Sequence, residues 1–267
     1  MITRNKFMAT DGQITGGYFT EYLDKSLPEA PAVELANFPH QTLMDLDIRV
    51  AVDHMLLKDI DVAYEEFNPS AKQSAPVYFD KLNGQLDHIS NIPSHMKEHP
   101  FAKFSGDVKF MHHVPMSATF IFDLSKYKSG KFTADVHMGG IDNETLNPIS
   151  EPLGLFLIKS GEMQEGSVHI DGDNLNASAK LSMSYTDLHI DPLKDADENG
   201  KLKKKHASSL IANVLIKNSN PAKAGALRQP EYTISRAHSA NFFSMLWKAT
   251  ETGILKTIGV PVKLVIH

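Results

Sequence analysis

The chain has 267 residues, 42% hydrophobic and 22% charged, the composition of an ordinary folded protein rather than a disordered or membrane-embedded one. A net charge of -5 argues against nucleic acid as a partner, because phosphate binding needs a concentrated basic surface. Cysteine is absent, which excludes disulfides, thiol catalysis and cysteine metal sites.

The opening stretch to about Leu23 reads as one or two strands with turn points at Gly12 and Gly16-Gly17. It lacks the apolar core of a signal peptide and reads as the middle of a domain. A targeting segment is therefore expected upstream, the other reading being a cytosolic protein that begins here. Prolines 28, 31 and 39 forbid a long helix between Ser26 and Pro39, so an irregular crossing is expected. Leu46, Ile48, Val50 and Val52 alternate, then Ile60, Val62 and Tyr64, which predicts two strands joined through Asp53-His54. After the turn residues Asn68-Pro69-Ser70, a strand runs from Val77 through Leu86, and its change of parity predicts a bulge.

The clearest pattern follows. Phe104, Gly106, Val108 and Phe110 alternate with polar residues, and so do Met116 to Leu124 and Phe132 to Met138. Side chains on a strand point to opposite faces in turn, so each run describes a sheet with one apolar face. Leu146, Ile149, Leu153 and Phe156 change to a helical period, with Pro148 and Pro152 limiting any helix to short pieces. A hairpin is predicted around DGDNLN, then a late strand from Leu210 to Ile216. The one convincing helix lies between Ser239 and Gly259, capped by Ser239 or Ser235. Phe243, Leu246, Trp247, Thr250, Ile254 and Ile258 fall on one side of it, which predicts that Trp247 is at least partly buried and packs the helix against the end of the sheet. Together these elements predict one mainly β domain over residues 1–267: a curved, mostly antiparallel sheet, either an open groove or a partly closed sandwich or barrel, with a capping helix at 239–259.

No serine-hydrolase elbow, phosphate-binding loop or dinucleotide fingerprint is present. His95-Met96-Lys97-Glu98-His99 fits the H-x-x-E-H spacing of inverted zinc peptidases, in which histidines four apart face one metal. Pro93 and Pro100 leave room for about two turns of helix at most, so an exposed loop is expected there and no metal or other cofactor. Asp195 to Gly200 matches half of a calcium loop, but His206 stands where a bidentate carboxylate belongs, so a polar hairpin tip is expected. The basic run KLKKKH is read as a solvated edge, with anionic lipid headgroups as the other reading, and His112-His113 as a turn.

Several segments carry a family resemblance: DIRVAVDHMLLKDIDVAYEEF, PVYFDKLNGQLDHISNI, ATFIFDLSKYKSGKFTADVHMGG, LNPISEPLGLFLIKSGEMQEG, MSYTDLHI and ANVLIKNSNPAKAG, followed by Arg236 and FFSMLWKATETGI. Between Leu43 and Gly259 the chain resembles the C-terminal portion of the AsmA-like family of Bacteroidetes, in the AsmA/TamB/YhdP group. The resemblance implies a periplasmic body of an inner-membrane-anchored protein, whose apolar groove assists phospholipid movement or outer-membrane assembly. The membrane anchor itself is not part of this sequence.

The expected function is therefore a non-enzymatic envelope module that holds lipid, with phospholipid and envelope or outer-membrane assembly proteins as partners. Val108, Phe110, Phe120, Phe122, Phe132 and Val136 are the candidate lining; the alternative for these residues is ordinary closed core. The competing functions are a secreted or surface β-sandwich that binds glycan or protein and, behind it, a zinc-dependent hydrolase on His95, Glu98 and His99.

Overall fold

The computed structural model describes residues 6–24, 26, 37–204, 216–223, 225–236 and 241–260. Its strands form one curved sheet. In chain order they are β1 (Lys6–Asp24), β2 (Arg49–Asn68), β3 (Gln73–Ser90), β4 (Phe101–Phe110), β5 (Val114–Asp123), β6 (Phe132–Met138), β7 (Ile141–Asp142), β8 (Phe156–Gly172), β9 (Asn176–Lys194), β10 (Lys203–Lys204) and β11 (Glu231–Ser235). The spatial order is β1-β2-β3-β4-β5-β6-β8-β9-β10, with β7 beside β8 and β11 beside β9. Every pairing is antiparallel except the first, in which β1 runs parallel to β2. The helices are α1 (Pro39–Met44), α2 (Pro93–Glu98), α3 (Asn143–Gly154) and α4 (Phe242–Ile258), with a short 3-10 helix at Leu124–Ser129.

Period-two sequence becomes apolar rows that cross the sheet. One row runs Met55, Leu86, Phe104, Phe120, Ala134, Ile170, Ala179 and Tyr232, each opposite the next on the neighbouring strand. The next runs Leu57, Gly84, Gly106, Ala118, Val136, Val168 and Leu181. Such cross-strand pairs are the unit of sheet stabilisation. The glycines have a geometric reason: a Cβ on Gly84 would lie 2.8 Å from Ser105 O and 3.1 Å from the Phe104 ring, which lies across both Gly84 and Gly106.

Two cores cover parts of this face. The larger gathers Phe38, Phe122, Leu124, Phe132, Ala134, Ile170 and Leu181 with the inward side of α4. Phe242 meets the rings of Phe38, Phe120, Phe122 and Phe132 at centroid distances of 5.1–6.0 Å. The smaller packs Val77, Phe110, Val114 and Ile141 against Ile149 of α3.

Four sequence expectations need correction. β2 is one strand of 20 residues rather than two joined at Asp53-His54; its irregularity lies instead between Leu57 and Val62, where Asp59 has φ 51°. α1 begins at Pro39, the last residue of the expected crossing, since a first-turn proline lacks only a donor that has no intrahelical acceptor; residues 27–36 of that crossing lie outside the described residues. α3 runs unbroken through Pro148 and Pro152, held by a cap from Asp142 to Thr145 N and by burial of Ile149. α4 is capped by Asn241, whose side chain accepts from Ser244 N at 2.8 Å. Its buried stripe is Phe242, Met245, Leu246, Ala249, Gly253, Leu255 and Ile258, leaving Trp247 39% and Phe243 55% exposed. The stripe is set by where the helix can approach most closely: a Cβ on Gly253 would collide with Tyr232 Oη and sit 2.8 Å from Leu181 Cβ. The predicted strand from Leu210 to Ile216 falls almost wholly outside the described residues. Among the described residues no helix is long and apolar enough to cross a membrane.

Candidate functional site

Two places on the sheet stand apart from the closed core. The first is the part of the apolar face away from the buried clusters. Met55, Leu57, Leu86 and Phe104 are only half-buried there, with half-buried Met116, Phe120 and Val136 packed at the margins of the two cores, and Ile14, opposite Leu57, is 42% exposed. Phe104 and Phe120 stack at 5.4 Å, so a continuous apolar floor runs from β2 to β5. Three inter-strand spacings make that width about 14 Å.

The sequence-derived lining divides across this boundary. Val108, Phe110, Phe122 and Phe132 are buried side chains at 1–9% exposure, so these four belong to closed core and not to an open groove. Phe120 and Val136 sit at the margin, half-buried against the larger core. Met55, Leu57, Leu86 and Phe104 form a half-buried floor instead, and only the register of β2 and β3, which sequence does not supply across their bulges, brings the first three together. A shallow depression of about 360 Å³ lies elsewhere, lined mainly by Gln85, Ser105, Asp107, Ser117 and Thr119. These are the residues that alternate with the apolar rows, so it opens on the polar face.

The second place is a histidine cluster where β2 and β3 meet α2. The connection after β3 is tightly fixed: Asn91 accepts from Val50 N at 2.7 Å and donates to Leu43 O and Ile48 O, and Ser90 Oγ accepts from Ile92 N. Pro93 starts α2, and His99 N donates to His95 O at 2.7 Å, which sets the two histidines one turn apart. Asp53 of β2 is hydrogen-bonded to His95 Nε2 at 2.7 Å. His88, near the end of β3, has φ 55°, an uncommon conformation for a non-glycine residue within a strand. Its ring stacks on that of His99 at 4.1 Å and lies 6.4 Å from that of His95. One potential ligand atom from each of Asp53, His88, His95 and His99 lies within 4.8 Å of all the others.

The electrostatics follow from these contacts. The hydrogen bond from His95, with the neighbouring imidazoles, holds the Asp53 carboxyl below its usual range. Burial, then the nearby His99, lowers the His88 pKa, while the Asp87 hydrogen bond raises that of the adjacent His54. Half-buried His95 and His99 do not form the exposed loop expected from the flanking prolines, because the pinned strand end turns α2 back onto the sheet. Glu98 is exposed and lies outside the cluster. The arrangement is therefore not that of H-x-x-E-H, in which glutamate activates a metal-bound water.

The other sequence motifs serve local structure. The Asp197 carboxylate accepts from Asn199 N and Lys201 N, each at 3.0 Å, and from Lys203 at 3.0 Å, so this loop closes on itself. His112 occupies a turn at φ 74° with its ring on Tyr78 and Nδ1 at 2.9 Å from Asp80. Comparison with protein-family models, with curated proteins and with solved structures returned no match.

Proposed function

We propose that the chain is a non-enzymatic lipid-handling module of the cell envelope, in which the exposed apolar floor holds an acyl chain during phospholipid transport or outer-membrane assembly. One observation carries the reading: the apolar rows continue past the covered core, so that Met55, Leu57, Leu86 and Phe104 remain half-exposed on the same face. A chain lying across them sheds about 0.8 kcal/mol of unfavourable hydration per methylene buried, and ten methylenes supply about 8 kcal/mol before the costs of ordering. The resemblance to AsmA-like proteins supports the same reading and adds its setting, a periplasmic body belonging to an inner-membrane-anchored protein with envelope assembly proteins as partners.

Native mass spectrometry of the protein purified from a Gram-negative host tests it. Phospholipid adducts on the wild type that disappear in a folded Phe104→Asp variant support the reading. Adducts absent from the wild type, or equal in both proteins, overturn it.

A further inference from the structure

From the histidine cluster we infer that the protein carries a zinc-class metal site, with Asp53, His88, His95 and His99 as its four ligands. The donor set selects the ion. Three imidazoles and one carboxylate suit zinc and its borderline neighbours, whereas magnesium and calcium take oxygen ligands.

Geometry brings the four ligands together. Tetrahedral zinc with bonds of about 2.0–2.1 Å sets its ligand atoms about 3.3 Å apart. Here the four candidate atoms already lie within 4.8 Å of one another, and Asp53 Oδ1 and His95 Nε2 stand at 2.7 Å. Closing the shell requires His88 and His99 to rotate out of their parallel stack at 4.1 Å, and the Asp53–His95 pair to open and admit the ion. Neither His88 Nδ1 nor His95 Nδ1 has a protein hydrogen-bond partner, although both atoms are buried. The fold holds the ligands at this spacing, since two come from adjacent strands and two from a helix turn fixed through Asn91 and Ser90.

Four protein ligands leave no open position for a substrate or an activated water. The site is therefore structural: the ion ties β2 and β3 to the connection that leads into β4, beside the exposed apolar floor. It goes beyond the lipid reading and does not depend on it.

The test uses the full chain, stripped with a chelator, dialysed and titrated with zinc chloride, followed by gel filtration and elemental analysis. Wild type and His112→Ala, which alters an exposed histidine outside the cluster, retain one zinc per chain and show a raised melting temperature. His88→Ala, His99→Ala and Asp53→Asn each weaken binding at least about a hundredfold, beyond the range for losing a second-shell partner. Magnesium chloride gives no retention. Because a variant can fail by misfolding, zinc X-ray absorption on the wild type supplies a second readout: four-coordinate zinc with three imidazoles is expected. Failure of the wild type to retain one equivalent, retention undiminished in folded His99→Ala, or a water-rich six-coordinate spectrum overturns the site.

Discussion

Replacing Phe132 with alanine separates closed core from exposed floor. The Phe132 ring is 1% exposed and meets Phe38 edge-on at 5.4 Å and Phe242 at 5.1 Å, so its loss opens a cavity where three elements converge. Phenylalanine-to-alanine changes in such sites cost about 3–5 kcal/mol, including the two aromatic pairs at about 0.5–1.5 kcal/mol each. For a chain of this size, about 2–4 °C of melting temperature is lost per kcal/mol, so a fall of roughly 6–20 °C is expected in thermal unfolding followed by circular dichroism. Phe104→Ala removes a half-buried ring and should cost about half as much or less. A Phe132→Ala loss under about 1 kcal/mol, or losses equal at the two positions, would refute this division of the apolar face.

Further predictions rest on single residues. Gly253→Ala should destabilise by about 1–3 kcal/mol in urea denaturation despite alanine's better helix propensity, because its Cβ has no space against Tyr232 and Leu181; a neutral or stabilising result contradicts the helix position. Trp247→Ala should cost about 1–3 kcal/mol, less than Phe132→Ala, since the residue is 39% exposed and only partly packed, and a drop in midpoint as large as that of Phe132→Ala would place it in the core instead. His40 is 3% exposed against Phe122, with neither ring nitrogen meeting a protein hydrogen-bond partner, and burial lowers its pKa to about 4. Its folded pKa lies below the unfolded 6.5, so the unfolded chain takes up the proton first. Stability should therefore be whole above about pH 6.5 and fall by up to about 3 kcal/mol as pH drops to about 4. His40→Leu should remove that part of the pH dependence, and unchanged dependence in the variant would contradict the burial.

The strands were legible because alternation is a direct imprint of the pleat: the runs from Phe104, Met116 and Phe132 fall within β4, β5 and β6, apart from Leu124, which opens the 3-10 helix. Their partners were harder to read. The parallel pairing of β1 with β2 leaves no local signature, and the bulges near Asp59 and Lys81 displace the register, so the row from Met55 to Phe104 could not be assembled from spacing. Hydropathy misplaces the phase of α4, because Phe243 and Trp247 are apolar yet face outward, while small Ala249 and Gly253 mark the contact side. Residue size, not hydropathy, carried that signal. In the histidine cluster, sequence supplied His95 and His99 from one helix turn. It missed Asp53 and His88, which lie 35 residues apart and meet only through the β2–β3 ladder.

The central claim is that the exposed floor contacts lipid, and site-specific photocrosslinking in a Gram-negative envelope tests it most directly. A benzophenone amino acid placed at Phe104, or at Leu86 beside it, should capture phospholipid, whereas the same probe at exposed Lys103 on the opposite face should not. Lipid adducts at both floor positions and none at Lys103 are the predicted result. Equal labelling on the two faces, or none at Phe104 and Leu86 in protein that is folded and correctly located, would contradict the account.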